Sequence, residues 1–249
     1  MISVTIICKN EEKNIRRCLE SAKWADEVII IDSGSTDSTL KIAQEYTSNI
    51  EIVEWKGYSH SRTIALDKVK TEWVLPLDAD EEITKELKEE ILEVIKSGNT
   101  EINGYKIPRK SFFLNKWIKH CGWYPGYQMR LCRTKFTTVA DRLVHEGYLI
   151  EGKTGTLKSD INHYTVNSIY EFTAKINEYS TLQAIEKAPR KKVGFKEIYF
   201  NNISAFYQHF IFKKGFLDGV HGLMVSMFDL ITNVLTYMKI YEMQNKGKE

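Results

Sequence analysis

Apolar positions along the first hundred residues follow two rhythms. Residues 3–8 (SVTIIC), 28–32 (VIIID), 50–54 and 73–77 (WVLPL) are short apolar runs with the length and β-branched content of buried strands. Between the first two, Ile15, Cys18, Leu19 and Ala22 recur at helical spacing. Helices are also expected near 38–46, after the polar turn 33–37 (SGSTD), and at 59–68. In 84–97, Leu87, Ile91 and Ile95 share one helix face, and Gly98 stands where a helix stops. Repeated strand–helix alternation predicts an α/β fold with a mostly parallel sheet and helices on both faces.

The pattern changes after residue 102. Residues 104–108 and 128–132 are short strand candidates, and 121–127 (CGWYPGY) is an aromatic loop with Gly and Pro. From residue 168 the spacing becomes helical again. Val220, Leu223, Met224, Met227, Ile231, Leu235 and Met238 recur at steps of three and four. The expected division is a domain over 1–165 and a helical extension over 166–249.

Composition narrows the partners. The 249 residues carry 35 Lys and Arg against 33 Asp and Glu, a net charge of +2, which lacks the basic excess of a nucleic-acid binder. The charges are unevenly spread: acids crowd the first hundred residues, whereas the last fifty are rich in Phe, Tyr, Ile and Met. Cys8, Cys18, Cys121 and Cys132 form no C-x-x-C pair, which disfavours zinc. No signal-like segment opens the chain, and no apolar run reaches the roughly 18 residues of a spanning helix. A cytoplasmic chain with reduced thiols is expected.

The chemistry is concentrated at strand ends. In open parallel sheets ligands bind outside the carboxyl ends of the strands. The first strand ends at Lys9-Asn10-Glu11, the second at Asp32, and the fourth at Asp78-Ala79-Asp80-Glu81-Glu82. Two carboxylates two residues apart can share a hard divalent cation together with substrate phosphates. Read alone, DADEE is equally an acidic turn opening a helix; the strand before it and Asp32 beside it favour a site.

The segments SVTIICKNEE, ADEVIIIDSGSTDST, HSRTIAL and EWVLPLDADE, in that order, resemble a family 2 glycosyltransferase with the GT-A fold. KSFFLNKWIKHCGWYPGYQMRLCRT, DRLVHEGY, INHYT and KKGFLDGVHGLMVS extend the likeness to the branch of bacterial lipopolysaccharide-core β-glucosyltransferases. The resemblance implies an inverting, metal-dependent transfer from a UDP-sugar, with glucose the first choice, to a core or other lipid-linked glycan. It implies that Asp32 accepts from the uracil N3–H and that Ile7, Cys8, Lys9, Asn10 and Glu11 line the nucleoside. By the same resemblance Arg62 would stand by the base or diphosphate, and Asp78 by the ribose. The resemblance further implies that Asp80 would bind Mg2+ or Mn2+, with His163 as a candidate second ligand of the metal or diphosphate. The family often has a second acid after the position of Asp32; here that residue is Ser33.

Inverting transfer needs a carboxylate to take the acceptor proton. The branch pattern assigns this to Glu146, with Asp141 as runner-up and His145 shaping the site. Arg130 is a candidate for the diphosphate or an anionic acceptor, and Trp123 for stacking on a sugar. The aromatic and apolar tail, with Lys213 and Lys214 in its middle, fits peripheral attachment to the cytoplasmic face of the inner membrane, or equally a homo-oligomer contact. Two alternatives differ in kind. One is a scaffold that keeps the fold without the reaction; the other is a transferase for protein or other glycans.

Overall fold

The computed structural model describes residues 1–140 and 147–246, the side chains of 200–203 excepted. The chain divides into two compact units. The first comprises Met1–Lys110 and Gly126–Tyr164, the second Ser111–Pro125 and Thr165–Glu249. The second unit thus takes in the segment 111–125 as well as the chain from Thr165 onward, whereas the sequence suggests a division at 165/166.

In the first unit, β1 (Ile2–Cys8), α1 (Ile15–Ala22), β2 (Glu27–Asp32), α2 (Thr39–Ala43), β3 (Ile50–Ile52), α3 (Tyr58–Asp67) and β4 (Trp73–Asp78) alternate as expected. β5 (Glu81–Ile83), α4 (Lys85–Ser97), β6 (Ile102–Ile107) and β7 (Arg109–Phe113) follow. After β8 (Lys116–Trp117), which pairs with β7 inside the second unit, come β9 (Gln128–Arg133), β10 (Thr137–Val139), β11 (Tyr148–Ile150), β12 (Lys153–Thr156) and β13 (Ile161–Val166). The main sheet has seven strands in the order β12-β6-β9-β4-β1-β2-β3. β1 pairs in parallel with both β2 and β4, whereas β9 runs antiparallel to β4 and β6.

Both faces of this sheet are covered at its centre, which is why β2 and β4 read as near-continuous apolar runs. On one face Val4, Ile6 and Ile30 pack with Ile15 and Leu19 of α1 and with Leu87 and Ile91 of α4. On the other, Ile29, Ile31 and Val74 pack with Ala65 of α3, Cys132 and Tyr148. α4 is bounded as its sequence predicts. The Thr84 hydroxyl accepts from the Leu87 N–H at 3.2 Å, and Gly98 closes the helix at φ 62°.

Two antiparallel pairings position the site. β9 pairs Arg133 with Trp73 at the start of β4, so Arg130 lies toward the carboxyl end of β4. β13 pairs with β5 and sets His163 opposite Glu81.

The second unit packs α5 (Ile169–Lys187), α6 (Phe195–Tyr207) and α7 (Val220–Asn245). Phe113, Ile118, Cys121, Val166 and Val225 form one core cluster, and Ala184, Val193 and Ile240 another. The first turn of α7 requires glycine where it meets the preceding turn, because a Cβ on Gly222 would overlap the Gly215 carbonyl oxygen. Buried Asp218 holds the same turn by accepting the His120 N–H at 2.8 Å.

Candidate functional site

The loops after β1 and β2 are laced together. The Asn10 N–H donates to the Ser35 hydroxyl at 2.8 Å, and Asn10 Oδ1 accepts from the Thr36 N–H at 2.8 Å. The Glu11 N–H donates to Thr39 Oγ1 at 2.7 Å. Asn10 takes a left-handed backbone (φ 54°), which asparagine tolerates better than most residues. Asp32 is fully buried beneath these loops. Its Oδ1 accepts from the N–H groups of Gly34 and Ser35 at 2.9 and 2.8 Å. Its Oδ2 accepts from the Ser35 hydroxyl at 2.5 Å and the Cys8 thiol at 3.5 Å. Four donors fill the capacity of a carboxylate, so a base reaches Asp32 only if Ser35 or Cys8 lets go. Burial, reinforced by Asp32, pushes the Cys8 thiol far up and keeps it protonated. Ile7 is half-buried; Lys9 and Asn10 are exposed.

At the end of β4 three arginines meet two carboxylates. Arg62 Nη2 donates to Asp78 Oδ1 at 3.0 Å, and Arg130 Nη2 to Asp78 Oδ2 at 2.5 Å. Arg130 Nη2 also reaches Glu81 Oε1 at 2.7 Å, and Arg109 Nη1 lies 3.7 Å from the same oxygen. Glu81 Oε2 accepts the Asp78 N–H at 3.0 Å. Glu81 is fully buried and Arg130 nearly so. Desolvation opposes the charge on Asp78, but Arg130 and then Arg62 outweigh it and hold the carboxyl well below the usual range. Asp78 keeps 26% of its side chain open, so water screens part of that attraction. The cluster carries one positive charge in excess, and the buried Nε groups of Arg109 and Arg130 find no acceptor among the described residues.

This cluster sets a stability prediction. Arg130→Met leaves buried Glu81 without its nearest cation, which costs about 3–5 kcal/mol. A depressed carboxylate pKa contributes stability that is fully present above the unfolded value and is lost as pH falls through the folded one. Wild-type stability therefore declines in acid as Asp78 protonates. In Arg130→Met the loss is present at neutral pH and the acid decline is shallower. Urea unfolding at neutral and acid pH reads both effects.

Asp80 lies just beyond this cluster. His163 Nε2 is 3.3 Å from Asp80 Oδ2, and both side chains are mostly buried. The Tyr164 N–H donates to the Asp80 carbonyl at 2.9 Å, which fixes the two strands side by side. Glu82 turns away and accepts from Tyr164 Oη at 2.7 Å and Asn162 Nδ2 at 3.1 Å. Among the described residues no three His, Cys, Asp or Glu side chains converge as a complete metal cage. A carboxylate and an imidazole on one spot fit a hard cation that takes its remaining ligands from substrate phosphates and water.

The candidate base Glu146, its alternative Asp141 and the neighbouring His145 lie outside the described residues. Trp123 belongs to the second unit, where it packs edge-on against Phe113 at 6.3 Å. The structure thus brings together Asp78, Asp80, Arg62, Arg130 and His163, and separately Cys8, Asn10, Glu11 and Asp32. Sequence reasoning missed Glu81 and Arg109 as members of the cluster. A buried glutamate inside an acidic run gives no local signal, because its partner Arg130 is 49 residues away.

Residues 3–147 match the model of the family described as glycosyl transferase family 2. The lipopolysaccharide core biosynthesis glycosyltransferase LpsC of Rhizobium meliloti is 29% identical, covering 97% of this chain and 92% of that protein. An uncharacterised glycosyltransferase of Rickettsia bellii is 32% identical, covering 97% of this chain and 86% of its own length. The crystal structure of an S. aureus TarS fragment in complex with UDP-GlcNAc shares the fold, with a TM-score of 0.51 at 18% identity over 94% of this chain and 81% of that one.

Proposed function

The chain belongs to glycosyl transferase family 2 and is a glycosyltransferase, and from that premise we propose that it moves a sugar, glucose first, from a UDP-sugar to a lipopolysaccharide-core or other lipid-linked glycan. The transfer inverts the anomeric centre, depends on Mg2+ or Mn2+, and takes place at the cytoplasmic face of the inner membrane. The observation that carries this reading is the Asp80–His163 pair at the carboxyl end of β4, beside a cluster with excess positive charge. A relative named for lipopolysaccharide core biosynthesis, aligned over nearly the whole chain, supports the acceptor class.

Each residue then has a part. The nucleoside rests on the laced loops at 9–11 and 33–36, and Asp32 takes the uracil N3–H in exchange for the Ser35 hydroxyl. Asp78 aims Arg62 and Arg130, whose guanidinium groups supply N–H donors to the diphosphate. Asp80 and His163 hold the metal, which when bound neutralises charge growing on the diphosphate leaving group. Glu146 takes the proton of the attacking hydroxyl, with Asp141 as the alternative.

Calorimetry tests the donor half. UDP binds in the presence of Mn2+ and at least about tenfold more weakly in its absence, since a cation held by Asp80 and His163 would offset the charge of the phosphates. UDP binding that ignores the metal removes the metal from the reading. A screen of UDP-sugars with a lipopolysaccharide-core acceptor, followed by UDP release, then identifies the sugar.

A further inference from the structure

We propose that the second unit docks on an anionic lipid bilayer through the turn between α6 and α7 and the outer face of α7. The proposal rests on the lipid-linked acceptor above for its purpose, and on the following features for its substance.

The outer face of α7 is apolar. Val220, Leu223, Met227, Ile231 and Met238 are all exposed, at steps of three, four, four and seven. The inner face is the more polar one, holding Gly222, Ser226 and Thr236 beside Val225 and Ile240. A helix of a protein surrounded by water has the opposite arrangement. The turn before α7 continues the apolar surface, with Phe212 79%, Leu217 56% and Val220 68% exposed. Such a continuous surface marks an interaction site.

Charge selects the occupant. The second unit carries thirteen Lys and Arg against eight Asp and Glu, a net +5, while the first carries −3. Lys213 and Lys214 are exposed within the apolar turn itself. Between Glu197 and Glu242 the sequence has two acids, and neither is exposed. Asp218 is buried against His120, and Asp229 Oδ2 faces His209 Nδ1 at 2.8 Å. An apolar strip with lysines and no exposed acid suits the boundary of an anionic bilayer. Two copies of the same basic face would repel. α7 is long and apolar enough to cross a membrane by length and composition. Its inner face, however, is taken up by α5 and α6, so it lies along the surface.

The experiment is flotation of the full-length chain with vesicles of phosphatidylglycerol and phosphatidylcholine in equal parts, and with phosphatidylcholine alone. The wild type floats with the anionic vesicles, and raising salt weakens this. Phe212→Ser/Leu217→Ser/Val220→Ser lowers the partition at least about tenfold, as loss of three inserted apolar groups requires. Lys213→Glu/Lys214→Glu does the same on anionic vesicles alone. All five positions are exposed, so the variants keep the wild-type circular dichroism and UDP binding. No flotation by a wild type that binds UDP overturns the docking proposal and leaves the donor reading intact. So does equal flotation of the apolar triple variant, or a concentration-dependent dimer that vesicles do not compete away. Flotation without UDP binding sinks the donor reading instead.

Discussion

Asp80→Asn loses metal-stimulated UDP binding, and its transfer rate falls by about two to three orders of magnitude. The reason starts with charge. Among the described residues, Asp80 and His163 are metal-capable side chains that converge beyond β4, and the carboxylate is the anion of the pair. Asparagine keeps the shape and one carbonyl oxygen but gives up the charge that favours a divalent cation. A cation no longer held cannot stabilise the leaving diphosphate, and losing one such electrostatic contact costs about 10²–10³ in rate. The fold is spared, because the buried network runs through Asp78 and Glu81 rather than Asp80. Binding of UDP without metal therefore stays at the wild-type level, and thermal stability changes little. The measurement is UDP titration with and without Mn2+, beside turnover. A variant that retains metal stimulation shows that the cation sits elsewhere.

Much of the first unit was legible because its physics is local. β1, β2 and β4 are covered on both faces by separate core clusters, so β2 and β4 are near-continuous apolar runs and β1 departs from one only at Ser3 and Thr5. Thr84 and Gly98 announce the ends of α4 through contacts within a few residues. The strand-end rule then pointed to Asp32, Asp78 and Asp80 from the chain alone. What stayed hidden depends on distant partners. β5 reads as an acidic turn because a glutamate is normally solvated; Glu81 is buried only because β9 delivers Arg130 to it. The insertion of β9 antiparallel between β4 and β6 has no signature in a strand–helix alternation.

The tail shows a different limit. Periodicity from Val220 to Met238 established a helix with an apolar stripe. It did not say which side faced inward. The structure turns Met224 toward Phe113, and leaves Val220, Leu223, Met227 and Ile231 outward. Helical spacing fixes a face; whether that face meets protein, lipid or water is decided by what else the chain brings to it.

Glu146→Gln leaves UDP and metal binding unchanged and lowers transfer by about 10²–10⁴, the usual contribution of a general base. The attacking hydroxyl is a poor nucleophile until its proton is removed, and inversion requires that removal on the side opposite the diphosphate. Glutamine matches glutamate in size and still accepts a hydrogen bond, so the acceptor binds, but the amide does not take up a proton. The loss therefore falls on kcat with KM for the donor unaltered, the pattern of an interaction realised in the transition state. Asp141→Asn is the control: its effect is below about tenfold if it does not take the proton, because a substitution away from the reacting atoms leaves the interactions of the transition state in place. The opposite outcome, a near-normal Glu146→Gln and an inactive Asp141→Asn, transfers the role to Asp141. Loss of UDP binding in Glu146→Gln would make this residue part of the donor site, since a base that touches only the acceptor has no means of weakening the nucleotide.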